Sequence, residues 1–166
     1  FAIQSRGTGG IGKVFGPVTA LWFLTGAALG VPQIIKHPQI LWSMDPRNAV
    51  GFFLHNGTTG YLLLGSVVLV ITGCEALYAD MGHFGRGPIR STWIFFVFPA
   101  LLLNYLGQGA ALLADPSVAS NPFYALAPGA LRLPVVVIAT LATIVASQAL
   151  ISGAFALTQQ AVQLGY

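Results

Sequence analysis

The sequence predicts an all-α integral membrane fold with four transmembrane helices. Two observations carry that expectation. Only 7% of the 166 residues are charged, against roughly 25% in an average globular protein, while 55% are hydrophobic and mean hydropathy is +0.78. The few charges also divide the chain into stretches of the length a bilayer demands, about 20 apolar residues for about 30 Å of hydrocarbon. So few charges cannot cover a water-soluble surface, which excludes an ordinary soluble enzyme and a disordered tail. The sequence pI of 9.4 invites a nucleic-acid reading, but the net charge is only +3 and the basic residues form no cluster.

Reading between charges gives the spans in order. Span A covers about 14–35, between Lys13 and Lys36; span B covers about 58–79 and holds one charge, Glu75. Span C covers about 91–114, between Arg90 and Asp115, and span D covers about 133–157, after Arg132. No charge follows Arg132, and Gln159, Gln160 and Gln163 make the end of the chain amphipathic. Pro38, Trp42 and Pro46 predict an ordered interfacial loop from Lys36 to Gly57, and Pro116, Pro122 and Pro128 predict another between spans C and D. No internal repeat or separate soluble domain is expected. Arg6, Lys13, Arg86 and Arg90 lie on one face of this topology and Lys36, Arg47 and Arg132 on the other, which places the N-terminus in the cytoplasm. The chain starts at Phe1, carries no signal-peptide pattern, and reads as a piece of something longer. Cys74 is the single cysteine, so no internal disulfide is possible.

Two motifs imitate known sites. GTGGIGKV, Gly7 to Val14, fits GxGxxG and nearly fits the phosphate loop, but Val14 replaces the magnesium-binding hydroxyl and no acid stands about 20 residues on; an interfacial turn is expected there. TTGYL, Thr58 to Leu62, resembles a potassium-channel filter, but Leu62 replaces its last glycine and an interfacial start to span B is the better reading. His37, His55 and His83 fall in separate loops without metal-ligand spacing.

Chemistry concentrates at Glu75, the only glutamate, set inside an apolar span. An ionised carboxylate at mid-membrane costs roughly 2.5 to 3.5 kcal/mol, so such residues face a cavity or a partner and mark ion or proton pathways. Thr72 lies one turn earlier on the same helical face, with Gly73 between. A helix broken at Gly73 frees carbonyl oxygens that, with the threonine hydroxyl and the carboxylate, make a hard oxygen site for an alkali cation. The competing reading is a neutral Glu75 hydrogen-bonded to a neighbouring helix in a membrane subunit that transports nothing. In span C, Asn104 and Gln108 stand one turn apart beside Gly107 and Gly109, a pattern that favours helix packing over cavity lining. GAALG, Gly26 to Gly30, is a GxxxG packing face, and Ser147, Gln148, Ser152 and Gly153 give span D a small, polar stripe.

Four segments carry a resemblance to a known family: Gly65 to Arg90 (GSVVLVITGCEALYADMGHFGRGPIR), Phe98 to Pro116 (FPALLLNYLGQGAALLADP), Asn121 to Pro128, and Ala142 to Tyr166. They resemble the Kup (KUP/HAK/KT) family of potassium uptake proteins, and the stretch Phe1 to Phe23 looks like the end of that family's fourth helix and its fifth. Gly87, Leu106, Gln159 and Gln163 depart from the family pattern; none of these departures falls at Thr72 or Glu75. The resemblance implies helices five to eight of an APC/LeuT-like inverted-repeat transporter, with span B as the broken helix six. It implies potassium uptake by proton-coupled symport across the plasma membrane, the inner membrane of a bacterium. Thr72 and Glu75 would take the family's helix-six roles at the potassium site, Glu75 also coupling the proton. It implies no enzymatic activity and no cofactor. The partners implied are potassium, protons, the lipid bilayer and, by analogy with relatives, a second copy in a homodimer, but no nucleic acid.

Overall fold

The computed structural model describes residues 8–70 and 85–165. It is helical in every long element. Helix α1 runs Thr8–Lys36, α2 Pro46–Val70, α3 Arg86–Ala114 and α5 Arg132–Gln163, and a single turn, α4 Pro122–Ala125, interrupts the connection before α5. Among the described residues, three stretches are long and apolar enough to cross a membrane: Phe15–Lys36, Arg86–Ala114 and Gly129–Gln163. They coincide with spans A, C and D. Span B reaches only Val70 within the described residues, and Ile71 to Phe84 lie outside them.

α1 begins earlier than expected. The glycine-rich stretch from Thr8 is helical and not an interfacial turn; once the apolar run of span A nucleates a helix, extending it adds a hydrogen bond per residue without a new nucleation step. The helix closes at Lys36, a cation at the negative end of the dipole, and Pro38 then starts a 3-10 segment, Pro38–Met44.

The connection to span B is ordered, and it contains a helix where a loop was expected. Asp45 accepts a hydrogen bond from the Arg47 amide at 2.9 Å, and Asn48 donates to the Trp42 carbonyl at 2.6 Å. With Pro46 at the first helical position, these contacts start α2 twelve residues before Thr58. Gly57 then leaves helical geometry at φ 49°, ψ −125°, a region open in practice to glycine alone. The segment 46–56 is thereby a separate arm, and the helix of span B begins at Thr58.

α3 contains an irregularity with an identifiable cause. Pro99 has no N–H, and its ring crowds the carbonyl four residues back. The turn before it widens into a π-turn, Trp93–Val97, in which the Phe98 amide donates to the Trp93 carbonyl five residues behind.

α1 and α3 make the principal contact of the structure. Gly26 faces Asn104, and Gly30 faces Leu103 and Gly107, so residue numbers rise together and the two helices run parallel. Lys36, at the end of α1, and Arg86, at the start of α3, therefore lie at opposite ends of the pair. Ala100, Gly107, Ala110 and Ala111 form the buried stripe of α3, while Phe95 is 81% exposed on its outer side. This is the pattern of packing in lipid, with small residues at the seam and large apolar ones outside. α5 packs on α1 and buries Val135, and it ends beyond Gln163 at Gly165, whose φ of 86° closes the helix.

Candidate functional site

Thr72 and Glu75, the residues expected to hold potassium, and Gly73, expected as the helix break and a cavity or packing position, lie outside the described residues. What is described is the helix on either side in sequence, α2 up to Val70 and α3 from Arg86, together with the α1–α3 pair. Thr58–Leu62 is helical, so its carbonyls serve the helix and do not form a channel filter. Among the described residues no group of three His, Cys, Asp or Glu could hold a metal ion. His37 precedes the 3-10 segment, and His55 donates through Nδ1 to the Gly51 carbonyl at 2.7 Å. His83 lies outside the described residues.

Asn104 and Gln108 are both on α3 and half-buried. Their one-turn spacing brings the side chains together, and Gln108 Nε2 donates to Asn104 Oδ1 at 3.2 Å. Asn104 also covers Gly26: a methyl placed on that glycine would sit 3.2 Å from Asn104 Cγ. The amide pair thus presses into the seam at the height of Gly26 and supplies hydrogen bonding inside the packed face. Directly above, Gly30 and Gly107 touch backbone to backbone, with no room for a Cβ on either. The next turn is covered by Ile40, 8% exposed, whose Cδ1 would lie 2.8 Å from a Cβ on Gly109.

The connection between α3 and α5 is built just as locally. Asp115 accepts from the Ser117 amide at 2.9 Å and caps the 3-10 segment Pro116–Ser120. Hydrogen bonds from Ser117, first its hydroxyl and then its amide, hold the Asp115 carboxyl below its ordinary value. Beyond Asn121 the chain turns back onto α1: the Phe123 and Trp22 rings meet with centroids 4.8 Å apart, and Leu126 and Ala127 are 4% and 3% exposed. Trp22 stands fourteen residues before Lys36, roughly 20 Å down the helix. The connection is therefore not purely interfacial. It dips along α1 to a depth that proline spacing alone did not reveal.

On α5, Gln148, Ser152 and Gly153 are half-buried, whereas Ser147 faces outward. The polar stripe expected for span D is thus split between two faces. The helical arm 46–56, the π-turn of α3 and the Trp22–Phe123 contact are features that sequence reasoning missed; Pro99 inside span C was the available signal for the π-turn.

Comparison with known proteins accords with this geometry. Residues 1–166 match the family described as K+ potassium transporter integral membrane domain. The chain is 58% identical over its full length to the probable potassium transport system protein Kup of Acidovorax sp. (strain JS42) and 59% identical to that of Thiobacillus denitrificans (strain ATCC 25259 / T1), covering 27% of each. It is 60% identical to Kup 2 of Syntrophobacter fumaroxidans (strain DSM 10017 / MPOB), covering 26% of it. The chain spans about a quarter of the length of these curated relatives. No solved structure matches it. With a family match from its first residue to its last, on a helical scaffold suited to a membrane, the chain belongs to the K+ potassium transporter family.

Proposed function

We propose that this chain is the central part of a potassium uptake transporter that moves the ion together with protons across the plasma membrane, the inner membrane in a bacterium. The observation that carries the reading is the full-length match to a potassium transporter domain, with relatives at 58 to 60% identity named as potassium transport system proteins. In this reading span B is a helix broken near Gly73. Thr72, Glu75 and the freed carbonyls then coordinate potassium, and Glu75 exchanges the proton. Desolvation favours a protonated carboxyl in an apolar span, and a cation beside it favours the ionised form; one residue can therefore alternate between the two cargoes. The wider fold we propose is the APC/LeuT-like inverted repeat, crossed four times by this chain, with its N-terminus cytoplasmic and the whole transporter a homodimer. The parallel arrangement of α1 and α3 supports a return crossing between them.

The test uses the full-length protein in cells lacking their own potassium uptake. Rubidium uptake is expected to fall at least tenfold, about 1.4 kcal/mol, in Glu75→Gln and in Thr72→Ala at matched expression. Uptake by the parent is expected to rise on mild external acidification and its accumulation to collapse with a protonophore. Parent-level uptake by both variants would remove Thr72 and Glu75 from the site, and indifference to protons would leave a uniporter. A parent without any uptake would favour the non-transporting subunit.

A further inference from the structure

Within the described residues, the two halves of α3 meet α1 very differently. The outer half, Phe98–Ala114, is fixed to α1 by the Gly30–Gly107 contact, by Asn104 over Gly26, and by Ile40 over Gly109. The other end, Arg86–Thr92, buries no residue among those described. Between them lies the Trp93–Val97 π-turn, where the Phe98 amide already reaches five residues back and Pro99 contributes no amide. This turn lacks one ladder hydrogen bond and shifts another from four residues back to five, the kind of irregularity at which helices bend, within an otherwise continuous 29-residue span.

Two ring contacts are made at this turn. Phe96 meets Phe23 of α1 edge-on at 6.3 Å, and Trp93 leans on Phe98 at 6.4 Å and 50°. Such contacts carry no directional hydrogen bond, so the rings can roll while staying in apolar contact. From these observations we infer that the Trp93–Val97 π-turn with Pro99 is a hinge, about which the Arg86–Thr92 end of α3 moves relative to α1 while the Phe98–Ala114 half stays fixed to it. The inference rests on the transport reading in one respect: alternating access needs an element that opens at one end and stays closed at the other.

Pulsed electron paramagnetic resonance on the full-length protein in nanodiscs, with other cysteines replaced, tests the hinge through two spin-label pairs. One pair reports the free end, at Gly16→Cys and Ser91→Cys; the other reports the fixed end, at Val31→Cys and Leu113→Cys. All four positions are exposed. Without added ion, the free-end distance distribution is expected to be broad or double-peaked and the fixed-end distribution narrow. Potassium is expected to redistribute the first pair only. Pro99→Ala restores an amide to the ladder, so it is expected to narrow the free-end distribution. It should also slow rubidium uptake about fivefold, the factor equivalent to one net hydrogen bond of about 1 kcal/mol, with an unchanged half-saturating concentration. Equal widths for the two pairs, or a free-end distribution that Pro99→Ala leaves broad, would overturn the hinge. If Pro99→Ala fails to fold, the two pairs in the parent decide the matter alone. Because the width comparison needs no potassium, it also stands if the parent takes up no rubidium, which separates failure of the hinge from failure of the transport reading.

Discussion

The contact between Gly30 and Gly107 makes a quantitative prediction. A methyl group on Gly30 would fall on the Leu103 carbonyl, and one on Gly107 would fall on the backbone of Gly30. Both obstacles are helix backbone and cannot swing aside, so the helices must separate. A gap of 0.5 to 1 Å forfeits about a quarter to a half of each contact's roughly 0.1 to 0.2 kcal/mol, summed over the tens of atom pairs in a seam of this length. The expected loss for Gly30→Ala is therefore about 1 to 3 kcal/mol, the usual range for overpacking. Alanine also favours the helix by about 1 kcal/mol over glycine, and Gly65→Ala isolates that gain because nothing among the described residues lies within 4 Å of its Cβ position and no proline follows it. Gly109→Ala is the intermediate case, since its methyl meets only the end of the Ile40 side chain, which can change rotamer. Thermal unfolding of the full-length protein in detergent should rank the variants Gly65→Ala most stable, then Gly109→Ala, with Gly30→Ala least stable. If Gly30→Ala melts together with Gly65→Ala, the seam does not hold α1 to α3.

Two further predictions concern the connection before α5. A double-mutant cycle on Trp22→Ala and Phe123→Ala should return a coupling of about 0.5 to 1.5 kcal/mol beyond the separate losses; additive losses would mean that the 4.8 Å ring contact contributes nothing specific. The Asp115 cap has a defined pH dependence: its folded carboxyl titrates below the ordinary 3.8, so the stabilisation is complete above that value and lost as pH falls through the lowered folded value. Protection of the Ser117 amide, measured by hydrogen exchange and corrected for intrinsic rate, should hold at mildly acidic pH and decline only in strong acid, whereas Asp115→Ala should lack it throughout.

The residues themselves explain which parts of this fold were legible in the sequence. Charges are so expensive in hydrocarbon that Lys13, Lys36, Arg90, Asp115 and Arg132 mark the limits of spans A, C and D almost by themselves. The arm 46–56 gives no span-length signal: Asp45, Pro46 and Gly57 spell a helix start and stop, but eleven residues are too short to cross a bilayer. GAALG was readable as a packing face, but nothing in it says that Gly30 meets Gly107 and not some other small residue, since helix pairing in lipid depends on facing surfaces far apart in sequence. The π-turn turns on one missing amide at Pro99, and helical periodicity tolerates such a slip. The dip of the α3–α5 connection rests on a Trp22–Phe123 contact between residues a hundred positions apart, where sequence spacing carries no signal. The proposed potassium site rests on the sequence alone: one carboxylate in an apolar span is conspicuous without any neighbour, and Thr72 and Glu75 lie outside the described residues.

The parallel course of α1 and α3 bears on that site as well. Under the proposed function the return crossing between them is span B, 58–79, whose 22 residues would rise about 33 Å as a continuous helix, about what the hydrocarbon needs. Length alone does not call for a break, and the unwound segment is proposed at Gly73 because that glycine stands between Thr72 and Glu75. Gly73→Ala favours the continuous helix by about 1 kcal/mol, so it should weaken apparent potassium affinity about fivefold if the site is built from an unwound segment. Protein abundance and melting temperature should be little changed. Uptake with unaltered half-saturation would mean that helical carbonyls, not freed ones, flank Thr72 and Glu75, and the coordination proposed for them would have to be rebuilt from side chains alone.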